Sequence, residues 1–141
     1  MSNLFVDTNI VIDLLANRTP FSDSAAALFS LADQGKLNLT ISSLTFANTN
    51  YILSKLKSPQ EARSVLRKFK VLVELLPLND KITELALNDE DFQDYEDALQ
   101  YYTALEFSQS IIISRNLKDF KSSKIPVMTA DQYLIHRKNN H

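Results

Sequence analysis

Four aspartates stand out by type and spacing: Asp7, Asp94, Asp97 and Asp119. A carboxylate at the boundary of a regular element can cap a helix, take a proton or hold a hard cation. Asp7 closes the apolar run Leu4-Phe5-Val6 and precedes a helix with apolar positions Ile10, Val11, Leu14 and Leu15, capped by Thr8 or Asn9. It therefore lies at the carboxyl end of a strand, where open α/β sheets bind ligands. In the helix after Asp94 the apolar stripe is Ala98, Tyr101, Tyr102 and Leu105, and stepping back by four from Ala98 and Tyr101 reaches Asp94 and Asp97. Both head the inward face, whereas Glu96 falls on the far side and reads as solvated. Asp94 would serve equally as an N-cap or as part of a site; the inward phase of Asp97 favours a site. Asn116 and Asp119 fall in the loop Ser114-Arg115-Asn116-Leu117-Lys118-Asp119-Phe120, after another strand.

Gathered in one dry pocket, Asp7, Asp97 and Asp119, with Asp94 beside them, would repel one another unless a divalent cation relieved the repulsion. All-oxygen ligands favour Mg²⁺ or Mn²⁺ over zinc, and such an ion activates water and stabilises a phosphodiester undergoing in-line displacement. Other chemistries are excluded. The chain has 0 Cys, and its 2 His, His136 and His141, sit at the far end, which leaves no thiolate, zinc–thiolate or Ser–His centre. Gly35, the 1 glycine, rules out glycine-rich phosphate cradles. A net charge of −2 is a weak argument against a nucleic-acid partner, because a carboxylate metal site would itself account for it. Arg115 and Lys118 are the basic residues nearest the acids and read as phosphate contacts, whereas Lys55, Lys57, Arg63, Arg67, Lys68 and Lys70 fit a solvated helix face as well as an RNA contact.

The elements that must position these groups follow in order. Ser22 or Asp23 caps a helix bearing Ala25, Leu28, Phe29 and Ala32, which Gly35 stops. Residues 37–41 alternate as a strand. Ser42 or Ser43 then opens a helix to about residue 56 whose apolar face is Leu44, Ala47, Tyr51 and Ile52, with Asn48 in its middle; a buried amide there needs a hydrogen-bond partner. Ser58-Pro59-Gln60-Glu61 starts a further helix, 71–75 reads as a strand, and Asn79 or Asp80 begins a helix with Ile82, Leu85 and Ala86 inward. Residues 110–114 have the β-branched density of a central strand, and 125–128 precede a helix opened by a Thr129 to Gln132 capping box. Strands separated by helices imply a three-layer α/β/α fold on a mostly parallel sheet, and 141 residues with 45% hydrophobic content suit one domain, residues 1–141. Asp13, Asp23, Glu61, Glu74, Glu84 and Glu106 read as caps and surface. No run approaches the roughly 18 apolar residues of a membrane span, and residues 1–3 lack the basic flank of a secretory signal, so a soluble cytoplasmic protein is expected.

Taken together, Val6-Asp7-Thr8-Asn9, Ser42-Ser43-Leu44-Thr45-Phe46-Ala47-Asn48, Asp97-Ala98-Leu99 with Thr103-Ala104-Leu105, and the loop from Ser114 to Phe120 resemble the PIN domain family, specifically its VapC-like toxins of bacterial toxin–antitoxin pairs. The resemblance spans nearly the whole chain in order. It implies a Mg²⁺- or Mn²⁺-dependent endoribonuclease, often a homodimer, inhibited by a cognate antitoxin. It carries over Asp7, Asp97 and Asp119 as metal-site and catalytic acids, with Asn116 where many relatives have an acid; beside them the reading of the residues adds Asp94 as a further ligand and Asn9 as a supporting side chain. Relatives usually have glutamate where this chain has Asn48. An amide oxygen still ligates but brings no charge, so weaker metal binding is expected.

A second reading is therefore a PIN-like module that binds RNA or a partner protein with little or no turnover. A third, aspartyl-phosphate chemistry at Asp7, wants a second aspartate where Asn9 stands, or acids ahead of the first strand's partner loop, where Leu4, Phe5 and Val6 offer none.

Overall fold

The computed structural model describes residues 3–140. Its first strand, β1 (Asn3–Val6), is the apolar run, buried from Leu4 onward, and it lies at the centre of a five-stranded sheet. The other strands are β2 (Asn38–Ser42), β3 (Glu74–Leu76), β4 (Ile111–Ile113) and β5 (Val127–Met128). Every pairing is parallel, in the order β3-β2-β1-β4-β5. The chain steps outward from β1 through β2 to β3, then returns to the other side of β1 for β4. The crevice at the carboxyl ends of β1 and β4 is thus the switch point of the sheet, where open α/β folds place ligands.

Parallel strands are joined by crossovers, and seven helices cover both faces among the described residues: α1 (Thr8–Leu15), α2 (Ser22–Asp33), α3 (Ser43–Leu56), α4 (Pro59–Phe69), α5 (Asp80–Asn88), α6 (Tyr95–Glu106) and α7 (Ala130–Asn139). Side chains alternate along each strand. Leu4, Val6, Leu39, Ile41 and Ile113 pack with Ile10, Val11, Leu28, Phe29 and Tyr133 from α1, α2 and α7. Phe5, Leu76 and Ile112 pack on the opposite face with Ile82, Ala86, Ala98, Leu99, Tyr101 and Ala104 from α5 and α6. The result is the expected three-layer α/β/α fold. Among the described residues no helix is long and apolar enough to cross a membrane.

Helix starts match the expected signals at Ser42, Ser58 and Asn79, and Thr129 with Gln132 forms a full capping box. Four readings are corrected. Residues 70–72 form a 3-10 turn packed against α4, so the strand expected over 71–75 begins only at Glu74 and runs to Leu76. The cap of α1 is Asp7 itself, whose Oδ1 accepts from the Thr8 amide, while α2 is preceded by Phe21 with no side-chain cap. The buried face of α3 is Thr45, Thr49 and Leu53, with Tyr51 62% exposed: two threonines take the inward positions that a count of apolar residues gives to Leu44, Ala47, Tyr51 and Ile52.

Candidate active site

Asp7 is 5% exposed and both its oxygens are held. Oδ1 accepts from the Thr8 amide at 2.8 Å and from Gln100 Nε2 at 3.2 Å; Oδ2 accepts from Ser114 Oγ at 2.7 Å. Three elements meet on this carboxylate: α1 through its first amide, α6 through Gln100, and the end of β4 through Ser114. Burial pushes its pKa above the ordinary value of 3.8, and the three hydrogen bonds pull against that rise.

Asp97, half-buried in the first turn of α6, lines two cavities. The smaller, about 200 Å³, also holds Asp7, Asn9, Arg18, Asn48, Glu96, Gln100 and Asn116. The larger, about 670 Å³, holds Asp91, Gln93, Asp94, Lys118, Asp119 and Lys121. Burial, then the charges of Asp7, Asp94, Asp119 and Glu96 in that order, push the Asp97 carboxyl up to about 7. Asp97 thus lies within electrostatic range of Asp7, Asp94 and Asp119, and it is the acid common to both cavities.

Asp94 is the N-cap of α6, its Oδ1 accepting from the Glu96 amide at 2.9 Å, and it also lines the larger cavity. Asp119 is exposed on a 3-10 turn, Leu117–Phe120, anchored by the buried Phe120. Asn116 lines the smaller cavity, and its amide donates to Ser114 Oγ at 3.0 Å. Asn9 steadies the same corner: its Nδ2 donates to Ser114 Oγ at 3.4 Å and its Oδ1 accepts from the Arg115 amide at 3.4 Å. Asn48 is half-buried at the rim of the smaller cavity, since the turn of α3 that buries Thr45 and Thr49 leaves it at the edge rather than in the core.

The structure gives Arg115 another occupation than the phosphate contact expected of it. Its Nε and Nη2 donate to Asp13 Oδ2 and Oδ1 at 2.7 and 3.0 Å, and its guanidinium lies 4.0 Å above the Phe21 ring. Asp13, read as surface, is fully buried on α1, and the bidentate partner compensates its charge. Glu96, read as solvated, is exposed as expected and also lines the smaller cavity. Arg18, Gln100, Thr45 and Ser114 were not singled out in the sequence. Gln100, three residues beyond Asp97 in an otherwise apolar stretch, was the available signal; nothing local marks Arg18.

Among the described residues no group of three or more carboxylate or histidine side chains is close enough to enclose a cation. The donors present are all oxygen, and the acids stand apart around shared space. That suits Mg²⁺ or Mn²⁺ bound through one or two carboxylates with water completing the shell, and does not suit a closed protein cage.

Residues 3–118 match the sequence profile of a family described as PIN domain. The chain is 29% identical over 134 residues to Ribonuclease VapC1 of Aquifex aeolicus (strain VF5), the match covering 92% of each chain. Its structure resembles a toxin–antitoxin complex from Klebsiella pneumoniae, with TM-score 0.67, 26% identity, and coverage of 92% of this chain and 98% of that one. It also resembles DNA-bound VapBC from Salmonella typhimurium in fold, with TM-score 0.69, 22% identity, and coverage of 92% and 99%.

Proposed function

The chain belongs to the PIN domain family, and from that premise we propose that it is a single-domain, divalent-metal-dependent endoribonuclease, the toxin of a toxin–antitoxin pair. The observation that carries the metal-site reading is the gathering of acids around Asp97, whose carboxyl is raised first by burial and then by the charges of Asp7, Asp94 and Asp119. Acids left to repel one another at a sheet switch point are in place for a cation, not for the fold.

Asp7 and Asp97, which share the smaller cavity, would hold the ion, with Asp119 and Asp94 acting on it through water from the larger cavity and Asn48 offering an uncharged oxygen. Bound there, Mg²⁺ or Mn²⁺ supplies an activated water and charge stabilisation at the phosphorus. Ser114 and the Thr8 amide keep the Asp7 carboxylate from turning. Asn9 and Asn116 hold the loop after β4 against Ser114, which sets where Asp119 stands. Lys118 and Lys121, lining the larger cavity beside Asp97 and Asp119, would meet the phosphates of an RNA strand lying there.

Purified protein supplied with Mn²⁺ or Mg²⁺ is expected to cut RNA internally and to stop when the metal is chelated. Asp7→Asn and Asp97→Asn should each slow cleavage on the order of 100-fold; variants that cut as fast as the parent would end this reading. The relatives described as toxin–antitoxin complexes support a cognate antitoxin as partner, expected to suppress cleavage on mixing. Asn48 favours a second reading, RNA or protein binding with weak turnover, because the smaller cavity gains no charge from α3.

A further inference from the structure

Gln100 is 2% exposed and its amide faces a group of buried and part-buried polar side chains. Its Nε2 lies 3.2 Å from Asp7 Oδ1, 3.0 Å from Thr8 Oγ1 and 3.1 Å from Thr45 Oγ1. The two threonine hydroxyls also bond each other at 2.8 Å. The other end of the amide, Oε1, is buried with no hydrogen-bond partner. Turning the amide over would offer that oxygen a hydroxyl but set it against the Asp7 carboxylate, so the charge on Asp7 dictates which end faces it. A buried oxygen without a partner costs free energy, and an apolar side chain of the same shape would avoid that cost. The fold alone therefore gives no reason for an amide at this position.

We propose that Gln100 is a positioning residue: it ties Asp7 Oδ1 to α6, the helix that carries Asp97, and so fixes the separation of the two acids across the smaller cavity. This rests on the reading of Asp7 and Asp97 as cation ligands. Ser114 holds the other oxygen of Asp7 from β4 and the Thr8 amide holds Oδ1 from α1, but neither reaches α6. Among the described residues, Gln100 alone hydrogen-bonds the Asp7 carboxylate from the helix of its partner acid. Thr45, from α3, holds the amide in turn.

The test is calorimetric titration of the full chain with Mn²⁺, together with kcat and KM for RNA cleavage at saturating Mn²⁺ and thermal melts without metal. Gln100→Met keeps the length and shape of the side chain and removes the amide. It is expected to weaken Mn²⁺ binding by about 10–100-fold, the usual effect of losing a group that orients a ligand. The kcat should fall with little change in KM, and the melting temperature should hold or rise, because Thr8 and Thr45 retain each other. Thr45→Val, which leaves Gln100 on Asp7 but removes one of its acceptors, should shift Mn²⁺ affinity the same way by less. Parent-like Mn²⁺ affinity and kcat in Gln100→Met, with binding lost in Asp7→Asn, would overturn the positioning role and leave the metal site standing. A parent chain that binds no Mn²⁺ would overturn both. A Gln100→Met chain that melts well below the parent while binding Mn²⁺ normally would make Gln100 structural.

Discussion

Asp97 stands among four other acids and is half-buried at the head of α6. In the unfolded chain its carboxyl titrates near 3.8, and in the fold it is pushed up to about 7 by burial and by Asp7, Asp94, Asp119 and Glu96. The folded state thus holds the proton more tightly, so the metal-free fold is favoured below the ordinary value and loses that advantage as pH rises through about 7. Asp97→Asn should therefore raise the metal-free melting temperature at pH 8, raise it little at pH 5, and slow cleavage at either; melts in chelator at the two pH values check the sign. Asp13 poses the opposite case. Its charge is buried and paired, so Arg115→Met strands a carboxylate in the interior and should cost about 3 kcal/mol in denaturant unfolding. A loss below about 1 kcal/mol would mean that water reaches Asp13. No local pattern in the sequence announces this pair, since its members are brought together by the parallel pairing of β1 with β4.

At the level of elements, Asp94 allows a helix cap to be separated from the proposed role in the site. It caps α6 through the Glu96 amide and also lines the larger cavity. Asn caps as well as Asp, whereas Ala does not. Asp94→Ala should lose about 1 kcal/mol of stability and Asp94→Asn almost none, with cleavage falling equally in both; normal cleavage by Asp94→Asn would reduce the residue to a cap. The starts of α3, α4, α5 and α7 were legible because caps act over a few residues, and β1 and β4 because β-branched and aromatic runs fit a buried strand. The phase of α3 was not. Thr45 and Thr49 face inward toward Gln100 and the sheet, and a scheme that counts only apolar residues assigns that face to their neighbours. α6 misled more mildly: it is enclosed on several sides, so Leu99 and Gln100 are buried alongside Ala98 and Tyr101, while Leu105, expected inward, is 41% exposed.

Across the whole molecule the site is assembled from the end of β1, the rim of α3, the head of α6 and the loop after β4, segments far apart in the chain. The aspartates were legible from the sequence because each stands at an element boundary; their convergence was not, because it depends on the order of strands, which no short segment encodes. A cation bound to acids from several elements acts against global unfolding, stabilising by about 2.7 kcal/mol at a hundredfold excess over its Kd. For a chain of this size that is a rise of about 8 °C in melting temperature. Mn²⁺ should therefore raise the melting temperature of the parent progressively with concentration, and Asp7→Asn should remove the rise. Asn48→Glu adds a carboxylate at the rim that now offers an amide. It should lower the metal-free melting temperature through added repulsion, move the Mn²⁺ response to lower concentration, and increase cleavage. If metal binding tightens while cleavage does not increase, the weak point of the site lies in how the larger cavity receives RNA, and Lys118 and Lys121 become the positions to vary.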